Sequence, residues 1–297
     1  MKFRTEYEAV KAPFTLNPAK PAVLTGSCFS QNMAARMEAH EWRASNPAGT
    51  LYNPLSICDA IDMMLDGETG AKRFEDSLSL SNDTWNSNKF DSSFSSARKE
   101  DCVMEFIHRQ KQLVEGLEEG RLLIVTFGTS IVYYTSKDNI PVGNCHKLPS
   151  QLFYRKRLTI AGIVECWSAM IEKLKLRFPG IRIIFTVSPV RHLKDGFSGN
   201  SRSKAILLLA IEELLQGNED CYYFPAYEIL NDDLRDYRFY ASDLTHPSEE
   251  GIEYIWEKFK QTYLDEQGVA LLAEGGKRVR AKSHRPKTGA LGKPLKA

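Results

Sequence analysis

The sequence lacks the features that would place it in a membrane, in a secretory pathway or among metal-binding proteins. It has no uncharged apolar run near the roughly 20 residues of a membrane span, and its start, MKFRTEYEAVKAPF, lacks the apolar segment of a secretory signal. Its six cysteines are scattered singly, without a CxxC pair or a Cys/His cluster at zinc-site spacing. We therefore expect a cytoplasmic protein with mostly reduced structural cysteines, no metal ion and no other cofactor.

Acidic residues are absent from the C-terminal segment 277–297, which holds eight Lys and Arg residues. The net charge is only +1, so the rest of the chain carries 31 basic against 38 acidic residues. The segment also contains Gly and Pro and has no apolar period, which predicts a flexible basic tail over residues 269–297. A solubilising tail is favoured over one that binds nucleic acid or another anionic polymer.

Four short apolar runs alternate with helical patterns along the chain. The runs are PAVLTGS, RLLIVTFGTS, IRIIFTVSPV and DCYYFPAY. Apolar residues at helical spacing predict helices over 161–178 and 202–215, and a last helix with Pro247 in its first turn. Continuous apolar strands that alternate with helices favour an α/β fold with a mainly parallel sheet covered on both faces.

Residues 67–101 are rich in Ser, Asn and Asp and poor in apolar residues. They predict a polar insertion rather than sheet, and insertions of this length are usually functional lids or mobile loops. No linker is evident before residue 268. One domain is therefore expected over residues 1–268.

Polar residues follow the apolar runs at the positions where ligands bind in open α/β sheets, outside the carboxyl ends of the strands. Gly26-Ser27-Cys28 follows the first run, and Gly128-Thr129-Ser130 follows the second. The third run ends in Ser188-Pro189-Val190-Arg191-His192. The sequence therefore places a site at this edge of the sheet.

The strongest chemical signal is the pair Asp243 and His246, three residues apart. A carboxylate at this spacing can orient an imidazole so that its Nε2 acts as a base, and a serine hydroxyl needs such a base to become a nucleophile. Ser27, Asp243 and His246 form a set of this kind. The alternative is that Ser27 caps a helix and Asp243 caps a turn. The placement of all three near strand ends favours catalysis.

Six segments of the chain resemble the GSCFA family, in order, over about residues 21–263. They are GSCF, NPAGTLYNPLSI, TFGTSIVYY, GNCHKLP, TVSPVRHLKDGF and DYRFYASDLTHPS. The resemblance implies a place among the SGNH hydrolases, which have a flavodoxin-like three-layer sandwich, a Ser nucleophile and a DxxH base. It also implies a serine esterase, deacylase or acyltransferase that acts on a small-molecule or carbohydrate ester.

The same resemblance implies roles for individual residues of the catalytic set. Ser27 maps onto the nucleophile, Asp243 onto the orienting acid and His246 onto the general base. The implied oxyanion hole uses the nucleophile's own amide, the amide of Gly49 and an Asn side chain. Donors of this kind must converge where negative charge develops on the tetrahedral intermediate.

The Asn of that oxyanion hole is absent from the block that contains Gly128. The donor would instead be Thr129, Ser130 or an Asn from elsewhere, such as Asn53. The missing Asn also makes a second function plausible, a non-catalytic ligand-binding protein on a degenerate hydrolase scaffold.

Further polar residues near the predicted strand ends are expected to bind substrate. They are Ser130, Asn144, His146, Lys147, Arg191 and His192. Lys147 or Arg191 would address an anionic group, although structural hydrogen bonding is an equally good explanation for the set. Cys28 is expected to be buried in the packing between sheet and helix, because its neighbour Ser27 should face the cleft.

Overall fold

The apolar runs form strands of a central sheet in the computed structural model, which describes residues 4–283. The strands, in chain order, are β1 (Ala22–Gly26), β2 (Ala44–Ser45), β3 (Leu78–Ser81), β4 (Thr84–Ser87), β5 (Leu122–Phe127), β6 (Ile131–Thr135), β7 (Pro141–Val142), β8 (Phe153–Arg157), β9 (Arg182–Val187) and β10 (Cys221–Tyr223). The helices are α1 (Cys28–Glu38), α2 (Pro54–Leu65), α3 (Gly67–Asp76), α4 (Lys99–Gly120), α5 (Ile160–Arg177), α6 (Gly196–Leu215), α7 (Ala226–Glu228), α8 (Glu249–Tyr263) and α9 (Glu266–Ser283).

The central sheet has the order β10-β9-β5-β1-β2, and each neighbouring pair is parallel. Numbered along the chain, this is the flavodoxin-like order 2-1-3-4-5, in which ligands bind where the order reverses. That point lies between β1 and β5, whose registers pair Gly26 with Thr126. The predicted α/β fold with a mainly parallel sheet is confirmed.

Helices cover both faces of the sheet, which explains why its strands read as continuous apolar runs. One face packs against α2, α4, α5 and α6, through residues such as Phe106 and Trp167. The other packs against α1, α8 and α9, through residues such as Phe29, Trp256 and Leu272. The result is three layers with the carboxyl edge of the sheet left open for a site.

Three predicted helices are present, with differences at their ends. Helix α5 lies within one residue of the prediction at each end, whereas α6 begins at Gly196, six residues before the predicted start. The expected place of Pro247 in the first turn of α8 is wrong. Ser248 is the N-cap and accepts a hydrogen bond from the Gly251 amide at 3.2 Å, so Pro247 precedes the cap.

The prediction for residues 67–101 is wrong in that the segment contains regular structure. It forms α3, an antiparallel β3–β4 hairpin and the first turn of α4. Its three phenylalanines, Phe74, Phe90 and Phe94, are buried together, and the ring of Phe74 stacks on that of Phe106 in α4 with centroids 4.5 Å apart. A count of apolar residues underestimates such a cluster, because each phenylalanine buries a large area.

The sequence patterns missed a second small sheet that follows the loop after β5. Strands β7, β6 and β8 are antiparallel, and Ile131 pairs with Arg157 in their register. This sheet places Tyr133 and Val142 beside the carboxyl edge of the central sheet.

Helix α9 covers residues 269–283, which the composition assigned to a flexible tail. Leu272 is buried, and the side chains of Arg278 and Lys282 both donate to the Glu41 carboxylate. Gly275 packs so closely that a Cβ there would lie 2.1 Å from the His40 carbonyl oxygen. The glycine that suggested flexibility therefore permits close packing, while residues 284–297 of the predicted tail lie outside the described residues. Within residues 4–283, no helix combines the length and hydropathy needed to cross a bilayer.

Candidate active site

The turn after β1 brings the start of α1 to the carboxyl edge of the sheet. Gly26 has φ +122°, and a Cβ at this position would lie 2.1 Å from the Thr126 carbonyl oxygen. Only glycine tolerates both the backbone angle and the close approach. The Ser27 amide then donates to the same Thr126 oxygen at 3.2 Å, which fixes the turn against β5.

Ser27, the predicted nucleophile, is the N-cap of α1. Its side chain is fully buried, with 0% exposure, and its Oγ accepts a hydrogen bond from the Phe29 amide at 3.3 Å. The capping role that the sequence left as an alternative is therefore present.

Cys28 is the first residue of α1, is partly exposed and forms no disulfide. The prediction of a buried structural cysteine is wrong, because Ser27 rather than Cys28 turns into the protein. Partial burial raises the pKa of the Cys28 thiol, and the Asp243 carboxylate adds to the rise. The Lys204 ammonium and the amides at the start of α1 act in the opposite direction.

Asp243 and His246 lie together in the loop before α8. His246 Nδ1 is 2.5 Å from Asp243 Oδ2, and the amides of Thr245 and His246 both donate to Asp243 Oδ1 at 3.0 Å. These amides and the imidazole hold the pKa of Asp243 well below its usual range. The carboxylate therefore stays ionised and fixes the imidazole through Nδ1.

A pocket of about 460 Å³ opens beside this pair. Its lining combines polar, aromatic and aliphatic residues, namely Tyr52, Asn53, Thr129, Ile131, Tyr133, Val142, Gly143, Asn144, Cys145, Val190, Arg191, His192 and His246. The size is that of a small-molecule site.

The backbone amides of the loop after β5 form hydrogen bonds within the protein. The amides of Gly128 and Thr129 both donate to the Tyr52 carbonyl, at 2.8 and 2.9 Å. Ser203 of α6 lies 3.0 Å from Thr129 Oγ1, and its hydroxyl oxygen accepts the Ser130 amide at 2.7 Å. This loop is tied to two neighbouring elements, and Thr129 Oγ1 lies between Ser203 Oγ and the Ile131 amide, which donates to it at 3.1 Å.

Gly128 lies close to residues of two other loops of the site, Ser27 and His192. A Cβ on Gly128 would lie 3.3 Å from His192 Nε2 and 3.4 Å from Ser27 Cβ. The turn after β1 and the loop after β9 therefore meet over this glycine.

Gly49, predicted as an oxyanion donor, does not face the pocket. Its amide donates to the Asn46 carbonyl at 3.1 Å, and a Cβ there would meet the Asp91 carboxylate at 2.8 Å. The prediction is wrong for the structure as it stands. The positive φ of Gly49 instead lets the chain turn tightly around Asp91.

Asn53 has a free donor at the pocket. It caps α2, where Oδ1 accepts the Ser56 amide at 2.8 Å and Nδ2 donates to Ser56 Oγ at 3.0 Å. An amide nitrogen carries two N–H groups, so one remains for a ligand.

Two titratable residues have strongly perturbed pKa values, His192 on the pocket wall and Lys204 behind the loop after β5. Lys204 is buried, and its Nζ donates to the carbonyls of Gly128 and Ser188 at 2.8 and 2.6 Å. Burial lowers its pKa to about 7. Burial also lowers the pKa of His192 to about 4, with further lowering by the Lys204 and His246 charges, so His192 is neutral at pH 7.

Sequence reasoning missed Lys204, although a lysine on the apolar face of "SKAILLLA" was a usable signal. Of the six predicted substrate-binding residues, Asn144, Arg191 and His192 line the pocket. The other three do not, and the prediction is wrong for them. Ser130 is buried with its hydroxyl on Ser203, His146 Nε2 lies 2.7 Å from the Ser87 carbonyl, and Lys147 is exposed elsewhere.

Arg191 is held without a carboxylate partner in the part of the chain that the structure describes. Its guanidinium donates to the hydroxyls of Tyr237 and Tyr240, at 3.2 and 2.8 Å, and stacks over both rings. Its own amide donates to the Thr245 carbonyl, which ties it to the loop of His246. As for metals, residues 4–283 contain no group of three or more His, Cys, Asp or Glu side chains arranged to bind one.

The fold and the site define a flavodoxin-like α/β protein with an Asp–His pair beside a pocket at the carboxyl edge of its sheet. The model of the GSCFA family matches residues 21–259, and the chain belongs to that family. No curated protein matches the chain. A solved carbohydrate esterase of family 3 from Talaromyces cellulolyticus is 8% identical, covers 86% of this chain and 98% of its own, and superposes with a TM-score of 0.32. A likeness at that score carries no argument about activity.

Proposed function

We propose that the protein is an acyl hydrolase or acyltransferase that cleaves an ester in this pocket, with His246 as general base and Asp243 as the acid that orients it. The observation that carries the proposal is the 2.5 Å contact between His246 Nδ1 and Asp243, with His246 on the pocket wall. A base held in this way can take a proton through Nε2.

The attacking group comes from the turn after β1, either Ser27 Oγ or Cys28 Sγ. His246 takes the proton of this group as it bonds to the ester carbonyl carbon, and the carbonyl oxygen becomes an oxyanion. When the intermediate collapses, the ester C–O bond breaks and His246 returns the proton to the leaving alcohol. Water or an acceptor hydroxyl then releases the acyl group by the same steps.

Two donors are available for the oxyanion. The Cys28 amide, the first of α1, has no intrahelical acceptor and lies at the positive end of the helix dipole. Asn53 lines the pocket, and one N–H of its Nδ2 is not used by the bond to Ser56. Together they replace the set that the resemblance implied, in which Gly49 and the loop after β5 took part.

The substrate in this proposal is a small ester that carries an anionic group. Arg191 lines the pocket with its charge unmatched by any carboxylate of residues 4–283, and a guanidinium binds carboxylate or phosphate through paired hydrogen bonds. An acylated carbohydrate that bears such a group fits the pocket volume.

Substitution of the base tests the proposal. On a panel of 4-nitrophenyl esters from acetyl to octanoyl, His246→Ala should lower kcat/KM by about 10² to 10⁴, the usual contribution of a general base. Asp243→Asn should also lower kcat/KM, by a large part of the same factor. His108→Ala, an exposed histidine on α4, serves as the matched control. A folded wild type that turns over no ester of the panel, or a His246→Ala variant with full activity, contradicts the proposal.

One observation favours ligand binding without catalysis. The amides of Gly49, Gly128 and Thr129, all in the segments where the resemblance implied oxyanion donors, donate to protein carbonyls. A binding protein would show saturable binding of anionic esters that Arg191→Gln weakens, without any turnover. The panel described above separates the two functions.

A further inference from the structure

The two residues at the turn after β1 differ in what they offer to a substrate. Ser27 has 0% exposure, and its Oγ is already the acceptor for the Phe29 amide. Cys28 is partly exposed, and its Sγ takes part in no disulfide. A nucleophile must reach the carbonyl carbon of its substrate, so Cys28, the partly exposed residue of the pair, is the better placed of the two.

The backbone amides of the two residues differ in the same way. The Ser27 amide donates to Thr126 O at 3.2 Å, within the turn that joins β1 to β5. The Cys28 amide is the first of α1, a position without an intrahelical acceptor, and within residues 4–283 it donates to no other residue and contacts only the sulfur of Cys28 itself. An attacking atom on Cys28 would therefore have a free amide of its own residue beside the developing oxyanion.

The surroundings of the sulfur are those of the proposed site. Asp243, the partner of His246, is near enough to Cys28 to raise the pKa of the thiol, after burial as the larger cause. Burial raises the pKa of Tyr52, which lines the pocket, and the charge of the Cys28 thiolate raises it further. The ammonium of Lys204, which donates to the Gly128 carbonyl, acts against the rise in the pKa of the thiol and favours the thiolate form of Cys28.

We propose that Cys28 Sγ, and not Ser27 Oγ, is the nucleophile, with Ser27 as the cap that positions α1; this inference rests on the acyl-transfer function proposed for the same pocket. His246 removes the Cys28 proton, the C–S bond forms as the carbonyl π pair moves to oxygen, and the ester C–O bond then breaks. The leaving alcohol takes the proton from His246. Water or an acceptor hydroxyl attacks the resulting thioester with His246 again as base, and the C–S bond breaks to regenerate the thiol.

The test is to trap and locate the acyl group. The full-length protein is mixed with 4-nitrophenyl acetate, quenched in acid and digested with trypsin, which yields the peptide of residues 12–36 with Cys28 as its sole cysteine. The expected result is an acetyl mass on this peptide that neutral hydroxylamine removes, as it does from a thioester. Cys28→Ala should abolish the adduct, and Ser27→Ala should retain it.

Chemical acylation of an ordinary thiol is controlled through Cys166, another partly exposed free cysteine, which lies on α5 and is not part of the pocket lining. His246→Ala should slow acetylation of Cys28 by at least about tenfold and leave that of Cys166 unchanged, because only Cys28 depends on the base. Cys28→Ser, which keeps the shape but weakens the nucleophile, should retain a fraction of the wild-type turnover, above that of Cys28→Ala.

Two outcomes overturn the assignment while the proposed function stands. One is a hydroxylamine-stable adduct on the same peptide that disappears in Ser27→Ala, and the other is full ester turnover by Cys28→Ala. Acetylation of Cys28 at the same rate in wild type and His246→Ala overturns the assignment as well. Ester turnover that is unaffected by every one of these substitutions contradicts the proposed function itself.

Discussion

The loops that follow β1 and β5 have similar sequences but differ in what their residues contact. Gly26-Ser27-Cys28 after β1 leaves a free cysteine partly exposed at the start of α1. Gly128-Thr129-Ser130 after β5 commits its amides to the Tyr52 carbonyl and to Ser203. Both are small polar segments at the carboxyl edge of one sheet, where the flavodoxin-like order opens a crevice. The partners of each loop, which a sequence pattern does not display, decide which loop can react and which one holds the site together.

Among substitutions in the two loops, Gly26→Ala should change the free energy of unfolding most. The new Cβ would lie 2.1 Å from Thr126 O at a φ of +122°, so the turn after β1 would have to separate from β5. We expect the free energy of unfolding to fall by about 4 kcal/mol, at the upper end of single substitutions.

Gly217→Ala is the matched control for the backbone angle, since Gly217 has φ +84° and open space around its Cα. It should lower the free energy of unfolding by about 1 kcal/mol, because it adds only the strain of a non-glycine residue with a positive φ. Urea unfolding of both variants makes the measurement. Equal losses would show that the close approach of β1 and β5 does not fix the turn.

A smaller effect, on the pH dependence of stability, should come from His192. Its folded pKa of about 4 lies below the ordinary 6.5, so between these values the unfolded chain binds more protons than the folded one. Stability from this group is therefore complete above about pH 6.5 and falls as the pH drops towards 4.

Between pH 7 and pH 5, wild type should lose about 2 kcal/mol through His192, and His192→Gln should lose that much less. Urea unfolding at the two pH values measures the difference. The same pH slope in both proteins would mean that His192 does not lie neutral and buried between the two loops.

The next prediction concerns the binding of substrate rather than the stability of the fold. Arg191→Gln should raise KM about tenfold for an anionic hemisuccinate ester and leave KM for the neutral acetyl ester nearly unchanged, because a charge-assisted pair is lost only in the first case. Steady-state kinetics on the two esters tests this. Equal changes for both esters would contradict an anion-binding role for Arg191.

The sheet and the Asp–His pair were predictable from sequence, and for a physical reason. Buried parallel strands must be continuously apolar, and a DxxH spacing brings carboxylate and imidazole together within one loop. Both signals are local, and the 2.5 Å contact of Asp243 with His246 forms within four residues.

The errors concern contacts between distant segments. Gly49 turns around Asp91, Ser130 bonds to Ser203, and Gly275 packs on His40. None of these partners is near in sequence, so composition and spacing do not reveal them. The exposure of Cys28 belongs to the same class, since it depends on which side of the first turn of α1 meets the sheet.

One paired measurement tests most directly whether the loop after β1 reacts and the loop after β5 supports it. Cys28→Ala and Ser203→Ala are each assayed for ester turnover and for the free energy of unfolding, with Ser201→Ala as an exposed control on the same helix. Cys28→Ala should lower kcat/KM by at least about 10² with little change in stability. Ser203→Ala should retain turnover and lose about 1 to 3 kcal/mol, the cost of unpaired buried groups on Thr129 and Ser130. Full turnover in Cys28→Ala, or loss of turnover in a folded Ser203→Ala, would contradict the account.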